Sequence, residues 1–60
     1  MKLESILAIT SESTNVYIHQ DSEIVSYYDG KNSIDEQYNN LEIVTMWTER
    51  DGLHIEVVLA

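Results

Sequence analysis

Sixty residues with no cysteine and a formal charge of -8 exclude several classes of protein at once. The length allows one domain, 1–60, without disulfides or thiolate metal sites; a chain this short buries only roughly 60% of the surface that its unfolded form exposes, so it needs an efficient apolar core, oligomerisation or both. Eleven acidic residues against three basic ones oppose binding to nucleic acid or to anionic lipid, since both are recognised by Lys and Arg, and they steer the chain toward a basic partner.

An apolar fraction of 43% sits in the ordinary globular range, and its short runs of Val, Ile and Leu argue against disorder. No apolar run approaches the about 20 residues that span a bilayer. Met1-Lys2-Leu3-Glu4 does not open like a signal peptide, because the apolar stretch behind it is short and interrupted. The expected location is cytoplasmic.

In Lys2 to Thr10, residues Leu3, Ile6 and Leu7 have i, i+3, i+4 spacing and share one face of a helix. Ala8 favours the helix and Glu4 suits its first turn. Ile6-Leu7-Ala8-Ile9 also fits a strand. The polar run Ser11 to Asn15 ends this element. Val16 and Ile18 then alternate with Tyr17 and His19, as in a half-buried strand. Gln20 to Glu23 reads as a turn, and β-branched and aromatic Ile24 to Tyr28 as the returning strand, stopped by Asp29-Gly30.

Lys31 to Asn40 is an ordered crossover. Ser33 followed by Glu36 is a capping-box pattern that would start a single helical turn. Ile34 and Tyr38, four apart, then point the same way, and Asn39-Asn40 can stop the turn in left-handed geometry. Leu41 to Thr48 and Leu53 to Leu59 read as strands joined at Asp51-Gly52, a pair that suits a type I′ turn with positive φ at both positions.

The register of this last hairpin is open. With Asp51-Gly52 as the loop, Met46 faces Val57 and Val44 faces Leu59, and Ile43, Trp47 and Val58 fall on the other face. With a four-residue loop, Trp47 pairs with Ile55 and Ile43 with Leu59. A one-residue slip exchanges the faces. The expected fold is α+β: a short N-terminal helix packed on a four-stranded antiparallel sheet made of two hairpins, with a one-turn helix in the crossover. One short helix covers one sheet face, so the second face is expected to stay partly apolar and to meet a protein partner or a second copy.

Three stretches carry a resemblance: Thr14-Asn15-Val16-Tyr17-Ile18, then Tyr28-Asp29-Gly30-Lys31-Asn32-Ser33-Ile34-Asp35-Glu36-Gln37-Tyr38-Asn39-Asn40, then Leu53-His54-Ile55-Glu56-Val57. The chain resembles a family of small acidic proteins, uncharacterised in activity, from Gram-positive gut bacteria and their prophages and mobile elements. In those relatives the opening segment looks like a Leu-rich helix. The resemblance implies an origin near phage or mobile DNA and no particular activity.

Reactive chemistry is sparse. His19 and His54 are far apart in sequence, show no ligand spacing, and alternate with apolar residues, which suits solvated or edge positions in strands better than a triad. Asp35-Glu36 could share a proton or bind a cation, yet acidic residues suit a first helical turn in any case. Asp21 and Glu23 lack the ligand ladder of an EF-hand. Each glycine follows an aspartate and reads as a turn residue rather than a phosphate cradle. No catalytic residue, cofactor or metal is expected.

Tyr17, Tyr27, Tyr28, Trp47 and Met46 are the candidate partner-binding residues, because Tyr and Trp dominate interface hot spots; some of them could instead fill the core. Tyr27 and Tyr28 must point to opposite faces. Asp35 and Glu36 are the acidic candidates. The expected function is a non-enzymatic protein-interaction module. One form of it is an inhibitor of a host defence protein, in which carboxylates occupy a groove built for phosphates. The alternative is a small structural or assembly protein acting as a homodimer through the exposed sheet face.

Overall fold

The computed structural model describes residues 1–58. A short helix α1 (Leu3–Leu7) precedes β1 (Val16–Gln20) and β2 (Glu23–Tyr28); a 3₁₀ turn η1 (Glu36–Tyr38) lies in the crossover before β3 (Glu42–Glu49) and β4 (Gly52–Val58). The expected continuation of the last strand to Leu59, and the pairing of Leu59, lie outside the described residues.

The four strands form one sheet in the order β2-β1-β4-β3. β1 pairs antiparallel with β2, and β3 antiparallel with β4. The central pair, β1 with β4, is parallel, with Val16 opposite Leu53 and Ile18 opposite Ile55. The sheet is therefore α+β as expected in class but mixed, not antiparallel throughout. The cause is the crossover. Parallel neighbours need a long connection, and the segment after β2 crosses to the far edge of the sheet, where Ile34, Tyr38 and buried Leu41 pack on the core.

The core is one cluster: Leu3, Val16, Ile18, Leu41, Ile55 and Val57. Each such side chain, fully buried, contributes roughly 1.5–3 kcal/mol. Leu3 is sealed under the sheet, and Ile6 and Leu7 pack beside it, which is the face that their spacing predicts. The helix ends at Leu7, before the expected Thr10, because the chain tightens there. Ile9 N–H donates to Ile6 O and Thr10 N–H to Leu7 O, and Thr10 Oγ1 also donates to Ile6 O at 2.7 Å. The N-terminus is tied to the crossover and β3: Leu3 N–H donates to Leu41 O, Glu4 N–H to Asn39 O and Ile43 N–H to Met1 O.

Three local expectations are corrected. The cap of the crossover turn is Asp35, whose side chain accepts from Gln37 N–H, and not Ser33. Asn39 is right-handed; the positive-φ non-glycine residues described are Asp21 and Ser22, so the left-handed pair belongs to the β1–β2 turn. In the β3–β4 turn, Glu49 pairs with Gly52. The loop is thus Arg50-Asp51, and only Gly52 has positive φ. A Cβ on Gly52 would overlap the Asn15 carbonyl, which accepts from Leu53 N–H at 2.9 Å. Glycine is required there because β4 enters the sheet against the backbone preceding β1.

The register matches neither alternative at any pair. Met46 faces Ile55, Trp47 faces His54, and Ile43 faces Val57, with an irregularity between Ile43 and Thr45. This bulge at Val44 puts two residues of β3 against one of β4. Ile43 therefore joins the core side, while Trp47 stays on the opposite one. A second bulge, at Val25, does the same between β1 and β2.

Candidate functional site

The face away from α1 carries a row of rings across every strand. Tyr27 on β2 lies opposite Tyr17 on β1, Tyr17 opposite His54 on β4, and His54 opposite Trp47 on β3. Neighbouring rings stack at centroid distances of 6.2, 4.9 and 5.4 Å, with interplanar angles near 20°. Such pairs contribute about 0.5–1.5 kcal/mol each beyond burial. Alternation along each strand produces the row: Val16 and Ile18 point into the core, so Tyr17 and His19 point out, and Ile55 and Val57 do the same for His54 and Glu56. The next row holds Ile24, His19, Glu56 and Thr45. Ile24 is 53% exposed and Tyr27 42%.

The expectation of solvated or edge histidines is overturned. His54 is 4% exposed, on an inner strand, enclosed by the Tyr17, His19 and Trp47 rings. His19, half-buried, reaches across from β1, its Nε2 lying 2.7 Å from His54 Nδ1. The other nitrogen of His54, Nε2, lies 2.8 Å from Asp51 Oδ1 and 3.7 Å from Glu49 Oε2. Glu49 Oε2 in turn accepts from Trp47 Nε1 at 2.7 Å. Ionised Asp51 accepts from His54 Nε2–H, and a neutral His54 then accepts at Nδ1 from His19 Nε2–H. That hydrogen bond from His54 holds the Asp51 carboxyl below its ordinary value, against a smaller opposing effect of burial. Glu49, Asp51 and His54 offer ligand atoms that all lie within 4.8 Å of one another.

The candidate residues separate. Tyr17, Tyr27 and Trp47 come together in the ring row. Tyr28 does not: it packs on the core side beside Leu7, Val16 and Ile34, and its hydroxyl donates to Glu12 O at 2.8 Å. Met46, 40% exposed, shares the side of Ile55 and is likewise apart from the row. Asp35 and Glu36 sit at η1. Asp35 is occupied as a cap, and its N–H donates to Ser26 Oγ at 3.1 Å, on the strand position opposite core residue Ile18. The histidines and the Glu49–Asp51 pair are what residue-type reasoning missed. The available signal was the run Glu49-x-Asp51-x-x-His54, in which a two-residue turn folds three donor-bearing side chains toward one point. No family model, curated protein or solved structure matches the chain.

Proposed function

We propose that this chain is a non-enzymatic protein-interaction module that binds a basic protein through the ring-bearing sheet face. The observation that supports it most is the Tyr27–Tyr17–His54–Trp47 row. It spans all four strands on the side opposite α1 and is bordered by Glu49, Asp51 and Glu56. Tyr and Trp are the side chains that anchor interfaces, and the carboxylates around them suit a Lys- or Arg-rich partner. Among the described residues no helix is long and apolar enough to cross a membrane, and the site we propose for this interaction is the cytoplasm. The resemblance of the Tyr28–Asn40 stretch supports a phage or mobile-element origin. A net charge of -8 supports, within that setting, an inhibitor that occupies a basic groove of a host defence protein.

Affinity capture from native bacterial lysate, run in parallel with face variants, tests this. A specific partner should be retained by the wild type and by Glu36→Gln, and lost with Tyr27→Glu and Trp47→Ser. Equal capture by all four, or none across several hosts, would overturn the reading. The second reading, homodimerisation through the same face, is favoured by exposed Ile24 and Tyr27. It is opposed by Glu49, Asp51 and Glu56, which two copies would bring against like charges. Light scattering over a dilution series separates the two, since a dimer that persists on dilution selects the second.

A further inference from the structure

We propose that Glu49, Asp51 and His54 form a binding site for a divalent transition-metal ion of the zinc class, with His19 as the outer partner that orients the histidine ligand. This stands apart from the interaction reading above.

The arrangement contains more than a satisfied buried histidine requires. One N–H at His54 Nε2 needs one acceptor, and Asp51 supplies it at 2.8 Å. A second carboxylate oxygen, from Glu49, is held 3.7 Å from the same nitrogen. Two carboxylates converging on one imidazole nitrogen repel each other, and positive charge at that point, from a bound ion or from a protonated ring, relieves the repulsion. The observed separations, 2.8 and 3.7 Å, straddle the about 3.4 Å expected between ligands on a tetrahedral ion with bonds of about 2.1 Å.

The three ligands also differ in freedom in the way that such a site needs. The His54 side chain is 5% exposed and fixed, whereas those of Glu49 and Asp51 are 56% and 55% exposed and are free to turn and close on an ion. Each end is braced from behind: Glu49 by Trp47 Nε1 and His54 by His19 Nε2. Ligating imidazoles characteristically use their second nitrogen in this way. One imidazole with two carboxylates favours zinc, nickel, cobalt or copper over magnesium and calcium, which prefer all-oxygen sets. Three protein ligands leave a coordination position open to water or to a donor from another molecule.

The hydrogen-bond chain predicts a signature at a residue that does not touch the ion. In the neutral, metal-free pair, His54 carries its proton on Nε2, toward Asp51, and His19 carries one on Nε2, toward His54. An ion at His54 Nε2 displaces that proton to solvent. For the 2.7 Å contact to survive, His54 must then carry a proton on Nδ1 and donate it to His19 Nε2, while His19 holds its own on Nδ1. His54 Nδ1 takes the proton that His19 Nε2 held and His19 takes one from solvent on Nδ1, so both rings change tautomer and the proton released to solvent is balanced by the one taken up.

The test is calorimetric titration of Zn²⁺ into the metal-stripped full chain at about pH 8, above the usual imidazole range. Ring ¹⁵N spectra are recorded alongside. One site per chain is expected, weakened about tenfold or more by Glu49→Gln and by Asp51→Asn, and changed by less than about twofold by Glu23→Gln, a distant control for diffuse attraction to the acidic surface. Both carboxylate variants are at exposed positions, and circular dichroism of each checks that it is folded, so the result does not depend on altering buried His54. The spectra should show the tautomer change in both His54 and His19. The proposal is overturned by the absence of a saturable site, by binding that survives both variants, by displacement with an equal concentration of Mg²⁺, or by His19 keeping its tautomer when the ion is bound.

Discussion

His19 and His54, 35 positions apart in the chain, meet through a 2.7 Å nitrogen–nitrogen contact across the parallel β1–β4 pair. They are diagonal neighbours, because Tyr17 stands directly opposite His54 and Glu56 opposite His19. The contact holds only while one nitrogen of the pair has a proton and the other does not. His54→Ala removes a buried ring stacked between Tyr17 and Trp47 and should lower stability by about 2–4 kcal/mol. His19→Ala should cost less, about 1–2 kcal/mol, mainly by stranding His54 Nδ1. In urea denaturation the double variant should fall short of the sum by about 1 kcal/mol; strict additivity would mean that the contact contributes nothing.

The two glycines should respond very differently to substitution. Both have positive φ, 144° at Gly52 and 90° at Gly30. A Cβ at Gly30 meets nothing within 4 Å, whereas at Gly52 it strikes the Asn15 backbone. Gly30→Ala should cost about 1–2 kcal/mol from the dihedral alone. Gly52→Ala should cost about 3 kcal/mol or more, since β4 must also move away from Asn15. Thermal unfolding of the pair measures the difference, and equal losses would contradict the close approach.

The β1–β2 turn can be improved. Asp21 and Ser22 both have positive φ, 53° and 68°, the geometry of a type I′ turn, for which Asp-Gly is the favoured pair. Aspartate tolerates this region and serine does so less well. Ser22→Gly should therefore stabilise the chain by about 0.5–1 kcal/mol, seen as a higher urea midpoint at an unchanged slope.

Acid should weaken the turn after β2. The Asp29 carboxylate accepts from Asn32 N–H at 2.9 Å and Lys31 N–H at 3.0 Å, and these bonds hold its pKa below the ordinary value. A depressed carboxyl stabilises the fold fully above its unfolded value of about 3.9 and ceases to do so as pH falls through the lower, folded value. Asp29→Asn should thus be less stable than wild type near neutrality and converge with it in strong acid. Urea midpoints measured at several pH values, with carboxyl titration of Asp29 by NMR, follow this.

Much of the local structure is legible in residue order. Leu3, Ile6 and Leu7 set the buried side of α1, and Val16 and Ile18 set which side of β1 is core. Tyr27 and Tyr28 had to part, and Ile34 with Tyr38 had to anchor the crossover. These follow from periods of 3.6 and 2, which concern neighbours along the chain. The ring row was legible only in part. Alternation places Tyr17 outward, but nothing local says that Trp47 lies on the same side, because the bulge at Val44 breaks the parity of β3.

The sequence by itself determined the class of domain, the approximate positions of its strands, and a net charge of -8. The tertiary structure decided which strands adjoin. By packing Ile34 and Tyr38 against the core and burying Leu41, the crossover carries β3 to the far edge, leaving β4 to lie parallel with β1. That one non-local choice brings His19 to His54 and buries His54 between Tyr17 and Trp47, behind the Glu49–Asp51 turn. The physical reason is that strand order is set by the total apolar surface removed from water, a property of the whole chain that no window of neighbouring residues contains.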